Sequence, residues 1–297
     1  MHIGLVGLGK MGMNMARRLT QGGHTVTAFN KTPEKTKEAE KDGIKGAYSI
    51  RELVSVLPSP RIVWLMIPAG SPVELVIEEL KGLLAEGDII VDGGNSYFRD
   101  DLRHEEELTP LKINYIDAGV SGGIWGLKNG YCVMAGGDKK ICGFLEPVFK
   151  TLAPPEGYLY CGATGAGHYM KMVHNGIEYG MMEAYAEGFE LLAKSQYGAG
   201  LDLKNVAHLW NRGSVVRSWL LELLEDALRK DSRLESINDY VGDSGEGRWM
   251  VKEAVESGVP LPAISEALFR RFRSQQDVSF GEKVLAALRK EFGGHGG

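Results

Sequence analysis

The feature that most constrains the fold is a glycine-rich turn at the start of the chain. An apolar run over residues 2–6 predicts a buried strand, and a helical pattern follows over residues 11–19. Between them the sequence reads G-x-G-x-x-G, with the glycines at Gly7, Gly9 and Gly12. A strand, this turn and a helix in direct succession are typical of a dinucleotide-binding unit, in which the pyrophosphate lies against the helix N-terminus.

Each glycine of this turn has its own expected role. Gly7 permits the tight turn, Gly9 lets the backbone approach a pyrophosphate, and Gly12 lets the helix pack closely on the strand. We therefore expect cofactor contacts along the whole turn, from Gly7, Leu8, Gly9, Lys10, Met11 and Gly12.

The end of the second strand bears on which dinucleotide is bound. This strand, residues 25–29, runs into Asn30, Lys31 and Thr32. An NAD-selective site usually has Asp or Glu here to bind the ribose 2′-hydroxyl. An amide, a lysine and a hydroxyl suit a 2′-phosphate instead, so the sequence favours NADP over NAD. The alternative is that Lys31 is an exposed loop lysine without a ligand.

Strands and helices continue to alternate, which predicts an α/β fold with a doubly wound parallel sheet. Strands are expected at residues 61–67, 88–91 and 114–118, with added strands at 131–135 and 158–160. Ligands of such sheets bind beyond the carboxyl ends of the strands. The residues at those ends are Met66, Ile67 and Pro68 for the cofactor, Asn95 for cofactor and substrate, and Ser121, Gly122 and Gly123 for the substrate. Turn chemistry alone would also explain the glycines.

Strand signals stop after Gly162, and the pattern is helical from Ala166 onward. We therefore expect a Rossmann-type nucleotide-binding domain over residues 1–163 and an all-α domain for substrate binding and dimerisation over residues 164–297. Beyond a long helix to about Lys194, helical segments are expected near 203–211, 215–229, 246–257, 263–273 and 280–292, with Ser214 as an N-cap.

The long helix carries an unusual set of polar residues. Lys171, His174, Asn175 and Glu178 stand at i, i+3, i+4 and i+7, which places them on one face. Lys171 and Glu178 are roughly 10 Å apart along the helix axis. Such a stripe is often merely solvated, but an asparagine and glycines within it disfavour a purely structural helix. The pattern indicates a functional face.

Composition excludes several classes of protein. A net charge of −5 gives no electrostatic reason to expect nucleic-acid binding, and no apolar run has the length of a membrane span. Cys132, Cys142 and Cys161 lack metal-ligand spacing, and no metal site is expected. So few cysteines favour a reducing compartment, so we expect a cytoplasmic protein.

Taken together, the motifs resemble the decarboxylating 6-phosphogluconate dehydrogenase family, a branch of the β-hydroxyacid dehydrogenase superfamily. They read GLVGLGKMG, DGGNS, DAGVSGG, GAGHYMKMVHNGIEYG and, near the C-terminus, FGGH. The resemblance covers the whole chain, and KMVHNGIEY marks this branch within the superfamily. The length resembles that of the short form, whose helical domain lacks its second half.

The resemblance implies a reaction and two proton-transferring residues. The family oxidises 6-phosphogluconate at C3, passes hydride to NADP or NAD, releases CO₂ and protonates the resulting enediol to give ribulose 5-phosphate, in the pentose phosphate pathway. Lys171 matches the family's base and Glu178 its acid. No metal is required, because a β-keto acid decarboxylates with only hydrogen bonds to its ketone.

The resemblance also assigns the substrate contacts. Its carboxylate and hydroxyls would be held by Asn95, Ser121, Gly122, Gly123, His174 and Asn175, and its phosphate by Tyr179, Arg271 and Arg289. In the family, the segment with the last arginine and a histidine, here His295, comes from a neighbouring subunit. A homodimer or homotetramer is therefore expected. The sequence departs from the family at Pro68, where a lysine is common, and at Ser244 and Glu246, near which the family often has another lysine.

Two alternatives remain open at this point. A related dehydrogenase of the 3-hydroxyisobutyrate or tartronate semialdehyde type would share Lys171 without needing Glu178 or His174. A non-catalytic dinucleotide sensor on the same scaffold would leave the polar face of the long helix dispensable.

Overall fold

The structure is a computed structural model, and it describes residues 1–293. The chain separates into two compact units, Met1–Val173 and His174–Gly297. The division falls inside a continuous helix, Ala166–Lys194. The domain boundary near residue 164 stays a prediction, since it marks the end of the strands rather than a separation of contacts.

The first unit is built on an eight-stranded sheet with the strand order β3-β2-β1-β4-β5-β6-β7-β8. Its strands are β1 (His2–Val6), β2 (Thr25–Phe29), β3 (Lys45–Ala47), β4 (Ile62–Leu65), β5 (Ile89–Asp92), β6 (Asn114–Ser121), β7 (Cys132–Gly137) and β8 (Tyr158–Gly162). Its helices are α1 (Lys10–Gln21), α2 (Pro33–Glu40), α3 (Ile50–Ser55), α4 (Ser71–Lys81), α5 (Phe98–Leu108), α6 (Gly126–Asn129) and α7 (Lys139–Leu152).

The strand order confirms the doubly wound α/β fold. Strand β1 pairs in parallel with both β2 and β4, so the winding reverses between β1 and β4. In open α/β sheets this switch point opens a crevice beyond the carboxyl ends of the strands. One pair departs from the expected parallel sheet, because β7 runs antiparallel to β6.

Alternating side chains place the core on both faces of the sheet. In β4, Ile62 and Trp64 belong to one buried apolar cluster, whereas Val63 and Leu65 belong to another. Successive residues of a strand point to opposite faces, and both faces of this sheet are covered by helices. Burying one such side chain stabilises the fold by about 1.5–3 kcal/mol. Burial on both faces explains why β4 is a continuous apolar run rather than an alternation of apolar and polar residues.

The second unit is helical, as expected. Helix α8 (Ala166–Lys194) enters it from the first unit, and the helices that follow are α9 (Leu203–Trp210), α10 (Trp219–Lys230), α11 (Glu246–Ser257), α12 (Pro262–Ser274) and α13 (Phe280–Gly293). Its small core has two clusters, one around Phe189, Ala207 and Leu221 and another around Tyr179 and Leu268. None of the helices within residues 1–293 combines the length and apolar character that a bilayer-spanning segment requires.

Candidate active site

The glycine-rich turn follows β1 at the switch point of the sheet. Gly7 has φ +102°, and a Cβ there would lie 2.4 Å from the Met66 carbonyl oxygen. A Cβ on Gly12 would lie 2.0 Å from the Gly7 carbonyl oxygen, so helix α1 packs directly on the turn. A Cβ on Gly9 would meet nothing within 4 Å, so this position faces open space.

The N-terminus of α1 is suited to an anion. Gly9 is the N-cap and supplies no side-chain acceptor, and the first turn contains no acidic residue. The first N–H groups of a helix lack intrahelical partners and carry the positive end of the helix dipole. Open space at Gly9 and this N-terminus together fit the pyrophosphate of a dinucleotide.

Asn30 has a structural role beside the expected cofactor contact. Its Oδ1 accepts a hydrogen bond from the Leu8 backbone N–H at 2.8 Å, and its Nδ2 donates to the Thr32 carbonyl at 3.2 Å. The amide thereby ties the end of β2 to the glycine-rich turn. Lys31 and Thr32 are exposed beyond it, so the Lys31 ammonium is accessible to a cofactor at the end of β2.

The end of β4 lies beneath the same turn. The Met66 backbone N–H donates to the Val6 carbonyl at 2.7 Å, and a Cβ on Gly7 would also meet the Ile67 side chain at 2.8 Å. Met66 and Ile67 are half-buried, whereas Pro68 is exposed. Met66 and Ile67 therefore pack against the glycine-rich turn and support it.

The turn after β5 is held by a buried carboxylate. Asp92, fully buried, accepts hydrogen bonds from the Gly94 N–H at 2.9 Å and from the Ser96 hydroxyl at 2.7 Å. Asn95 stands between these two residues in the chain. The backbone that carries Asn95 is therefore fixed on both sides.

Strand β6 ends in the segment expected to hold the substrate. Ser121 is half-buried, and the next two residues have positive φ angles, +139° at Gly122 and +53° at Gly123. This left-handed region favours glycine. A side chain at either position would strain the turn that follows the carboxyl end of β6.

Lys171 is buried where helix α8 lies against β6. Its side chain is 9% exposed, and a Cβ on Gly119 would lie 2.5 Å from the Lys171 Cβ. The same hypothetical Cβ would lie 2.7 Å from the Gly167 carbonyl oxygen. Because Gly119 has no side chain, the helix approaches the strand closely and the stem of Lys171 is confined there.

The residues that hold the start of this helix were not among the predicted site residues. Asp117, fully buried in β6, accepts hydrogen bonds from the Gly165 N–H at 2.7 Å and the His168 N–H at 2.8 Å. His168 Nδ1 lies 2.7 Å from Asp101 Oδ2. Asp117 and His168 both stood within quoted motifs, and an aspartate inside an apolar strand was the available signal.

Three of these buried groups raise the question of a metal. Within the described residues, Asp92, Asp101 and His168 place possible ligand atoms within 4.8 Å of one another. Each already has a hydrogen-bond partner: Asp92 accepts from the Ser96 hydroxyl, and Asp101 and His168 bond to each other. An ion would have to replace these bonds, and the expectation of no metal stays a prediction.

In the second unit, His174 and Asn175 form a chain with a residue that sequence analysis treated only as a departure from the family. The Asn175 Nδ2 donates to Glu246 Oε1 at 2.6 Å, and Asn175 Oδ1 lies 3.0 Å from His174 Nδ1. Glu246 is 2% exposed and opens helix α11, where the N-terminus favours an anion. Glu246 therefore orients the amide of Asn175.

The structure brings together two residues expected at the substrate phosphate. The Arg271 guanidinium lies over the Tyr179 ring, 3.6 Å from its centroid. Arg271 Nη1 donates to the Gly242 carbonyl at 2.7 Å, which fixes the guanidinium against the ring. Tyr179 is buried against Gly247, where an added Cβ would lie 2.7 Å from its ring. A permanent positive charge is thus held at a defined position.

The remaining predicted residues are more exposed. Glu178 is half-buried, and its carboxylate lies 4.0 Å from His174 Nδ1. Arg289 is exposed on α13, and His295 lies outside the described residues.

Comparison with known proteins identifies the family. The family model described as the NAD binding domain of 6-phosphogluconate dehydrogenase matches residues 2–165. The model of the 6-phosphogluconate dehydrogenase C-terminal domain matches residues 167–290. Together the two models match most of both units.

Individual relatives agree with the family models. The NAD(+)-dependent, decarboxylating 6-phosphogluconate dehydrogenase of Haloferax volcanii is 42% identical over 297 residues, covering 99% of this chain and 98% of that protein. The decarboxylating enzyme of Lactococcus lactis is 37% identical, and the match covers 99% of this chain but 66% of that protein. The chain thus has the length of the first relative and about two thirds that of the second.

Solved structures show the same relationship. The 6-phosphogluconate dehydrogenase of Plasmodium falciparum, solved in apo form, with NADP+ and with 6-phosphogluconate, gives a TM-score of 0.85 at 31% identity over 99% of this chain and 65% of that chain. The 3-hydroxyisobutyrate dehydrogenase of Mycobacterium tuberculosis gives 0.72 at 22% identity, covering 90% of each chain, which shows a shared fold alone. Both family models and these relatives confirm the resemblance seen in the motifs: the chain belongs to the decarboxylating 6-phosphogluconate dehydrogenase family of NAD(P)-dependent oxidoreductases.

Proposed function

We propose that this chain oxidatively decarboxylates 6-phosphogluconate to ribulose 5-phosphate and CO₂ with reduction of a nicotinamide dinucleotide, as a step of the pentose phosphate pathway. The observation that carries the proposal is Lys171, a lysine buried to 9% exposure beside the strand that leads to Ser121. A lysine buried close to the carboxyl end of a strand is a candidate base, because burial favours the neutral amine.

Lys171 would remove the proton of the 3-hydroxyl. Only the neutral amine accepts a proton, and burial together with a cationic nicotinamide nearby favours that form. A nicotinamide dinucleotide held at the glycine-rich turn would supply the hydride acceptor for C3. The confinement of the lysine stem against Gly119 limits where its amine can reach, so the base is positioned before substrate arrives.

Decarboxylation follows from the 3-keto acid. The C1–C2 bond breaks, CO₂ leaves, and the electron pair is delocalised onto the C3 oxygen, where the protonated Lys171 returns a proton to give the enediol. Glu178 then supplies a proton to the former C2 of the substrate, which becomes C1 of the product, ribulose 5-phosphate. Lys171 and Glu178 lie two turns apart on one continuous helix, roughly 10 Å along its axis.

Substrate recognition uses three sets of groups. Two neighbouring strands lead to the first set, which is Asn95 after β5 and Ser121, Gly122 and Gly123 at and after the end of β6. The second set, His174 and Asn175, would bind the carboxylate or hydroxyls. The guanidinium of Arg271 beside Tyr179 supplies charge for the phosphate. A phosphate-free substrate of the 3-hydroxyisobutyrate type would leave this charge unused, so the structure favours the sugar-acid phosphate.

The preferred cofactor in this proposal is NADP, with NAD as the alternative. The end of β2 carries Asn30, Lys31 and Thr32 and no acidic group, and exposed Lys31 suits a 2′-phosphate. The Haloferax volcanii relative is NAD(+)-dependent by its name. Comparing the ratio of kcat/KM for NADP and NAD in wild type and in Lys31→Ala tests this preference. Loss confined to NADP supports it, whereas equal loss with both contradicts it.

A second copy of the chain is the proposed partner. Helix α13 exposes Phe280, Leu285 and Leu288, which are 80%, 68% and 60% accessible. Arg289 lies on the same helix. In this proposal the helix and the tail with Arg289 and His295 complete a neighbour's site in a dimer or tetramer. Molar mass in solution, measured with and without residues 280–297, tests the association.

The reaction itself is tested by steady-state assays with 6-phosphogluconate. Reduced cofactor and CO₂ are measured together, and separate assays offer 3-hydroxyisobutyrate with oxidised cofactor and tartronate semialdehyde with reduced cofactor as competing candidates. Equal amounts of reduced cofactor and CO₂ support the proposal. Turnover of only a competing substrate contradicts it.

A further inference from the structure

A network of buried polar side chains lies in the first unit, outside the residues assigned to substrate and cofactor. This buried polar network consists of Asp92, Asp101, Tyr115, Asp117 and His168, which are 0–3% exposed. Burying a carboxylate or an imidazolium costs several kcal/mol unless it is paired and hydrogen-bonded. A network with three carboxylates therefore stabilises a core less than apolar side chains would. Its position between two segments of the proposed site indicates a role in positioning them.

The network joins two segments whose relative position matters for the proposed function: the turn that carries Asn95 and the helix that carries Lys171. At one end Asp92 holds the turn that carries Asn95, through the Gly94 N–H and the Ser96 hydroxyl. At the other end Asp117 accepts the N–H groups of Gly165, just before helix α8, and of His168, in its first turn. Lys171 follows one turn later on the same helix.

Asp101 connects the two ends. Its Oδ1 accepts a hydrogen bond from the Tyr115 hydroxyl at 2.9 Å, and that hydroxyl lies 3.4 Å from Asp92 Oδ2. Its Oδ2 lies 2.7 Å from His168 Nδ1. Helix α5, which contains Asp101, is thereby fixed to the start of α8.

His168 and Lys171 stand at i and i+3 and share a face of α8. A helix held at one such position cannot turn about its axis without carrying the other residue with it. On the next turn, the contact between Gly119 and the Lys171 stem stops the helix from moving toward β6. The direction of the Lys171 side chain is therefore set by these two contacts.

The pair is charged at neutral pH, which makes its hydrogen bond strong and directional. Burial raises the pKa of Asp101 to about 6, against the opposing effect of His168. Burial alone would lower the pKa of His168, but the Asp101 carboxylate beside it, with Asp92 and Asp117 further off, raises it to about 10. Between these values an imidazolium donates to a carboxylate, a charge-assisted bond about twice as strong as a neutral one.

We propose that His168 and Asp101 are positioning residues for Lys171, and that their bond fixes the rotation of helix α8 relative to the turn carrying Asn95. The role of Lys171 in this proposal rests on the proposed function. The network as a structural link between α5 and α8 does not.

The test compares His168→Gln with a matched control, His24→Gln. His24 is also a buried, hydrogen-bonded histidine of the first unit, 3.0 Å from the Thr151 hydroxyl. It directly precedes β2, at the amino end of that strand, whereas the proposed site lies beyond the carboxyl ends of the strands. Each variant is assayed for kcat, for cofactor affinity and for the deuterium isotope effect with 6-phosphogluconate deuterated at C3.

A displaced base slows the chemical step without changing the affinity for the cofactor. We expect kcat of His168→Gln to fall about 10–100-fold, since a misplacement near 1 Å costs on the order of 100-fold. Cofactor affinity stays at the wild-type value and the isotope effect rises, because hydride transfer becomes more rate-limiting. His24→Gln leaves all three unchanged. A fall in kcat with an unchanged isotope effect means fewer folded molecules, and it overturns the positioning role.

Asp101→Asn provides the second variant in case His168→Gln does not fold. The amide has the same shape and retains an acceptor for Nδ1–H, so the fold is kept while the charge assistance is lost. We expect a smaller loss of kcat with the same rise in the isotope effect. Wild-type kcat and isotope effect in Asp101→Asn overturn the proposal.

Amide hydrogen exchange separates this proposal from the proposed function. In the protein without substrate, residues 166–171 are expected to exchange faster in His168→Gln than in wild type or His24→Gln. If the wild type does not oxidise 6-phosphogluconate, the proposed function fails while this result still tests the network. If the wild type is active but exchange in His168→Gln is unchanged, the positioning proposal alone fails.

Discussion

The predictions for Gly9 and Gly12 of the glycine-rich turn differ in kind, and substitutions can test them separately. A Cβ on Gly12 would lie 2.0 Å from the Gly7 carbonyl oxygen, well inside contact distance, so helix α1 must move away from the turn. A Cβ on Gly9 would meet nothing within 4 Å, and Gly9 has φ −65°, which alanine adopts readily. Gly12→Ala therefore perturbs the protein itself, whereas Gly9→Ala perturbs only what binds there.

The expected magnitudes follow from these distances. Forcing one methyl group into a packed region costs about 1–3 kcal/mol, so the free energy of unfolding of Gly12→Ala should fall by that amount. Gly9→Ala should stay within about 0.5 kcal/mol of wild type, as for an unconstrained surface position. Its dissociation constant for the cofactor should rise at least about tenfold, equivalent to ~1.4 kcal/mol, because the methyl group occupies the pyrophosphate's approach.

The assay pairs urea unfolding of the protein without cofactor with titration of NADP or NADPH into each variant. The reasoning is refuted if Gly9→Ala binds the cofactor as tightly as wild type. It is also refuted if Gly12→Ala unfolds at the wild-type urea concentration, since the helix would then have no close contact with the turn.

Four further predictions concern catalysis and pH. Lys171→Met should lower kcat by about 10³-fold or more with cofactor affinity kept, and near-normal turnover would refute its role as base. Glu178→Gln should slow proton delivery to the enediol, seen as a lower kcat with little change in substrate affinity; a wild-type rate would remove the assignment. Removing residues 289–297 should cripple activity, and undiminished activity would show that the tail is not needed. Because the pKa of His168 is raised to about 10 in the fold from 6.5, its stabilising effect is complete below pH 6.5 and is lost as pH rises through 10. The free energy of unfolding should therefore fall more steeply from pH 7 to 10 in wild type than in His168→Gln; parallel curves would contradict this.

Local patterns in the sequence predicted the regular elements well. The long helix was expected from Ala166 to about Lys194 and has those bounds, because an uninterrupted helical pattern follows a glycine turn. Helix α10 was expected from residue 215 with Ser214 near its start. It begins at Trp219 instead, because the Ser218 hydroxyl accepts from the Leu221 N–H and caps it. Ser214 and Ser218 are both suitable N-cap residues by sequence, and only the folded structure shows that Ser218 caps the helix.

Features that depend on pairing between distant segments were not predictable. Strand β3 is three residues long, too short to show a period, and the antiparallel direction of β7 leaves no trace in its side-chain alternation. Asp101 and His168 are 67 residues apart in sequence, and Asn175 and Glu246 are 71 apart. Nothing in either local pattern indicates the partner, so the buried network and the role of Glu246 emerge only from the fold.

The central claim is that this chain couples oxidation to loss of CO₂ at a site centred on Lys171. The most direct measurement is the ratio of CO₂ released to cofactor reduced, with 6-phosphogluconate as the only substrate. The account predicts one CO₂ for each reduced cofactor in wild type and neither product above background in Lys171→Met. Cofactor reduction without CO₂, or no reduction at all beside activity on 3-hydroxyisobutyrate, would contradict it.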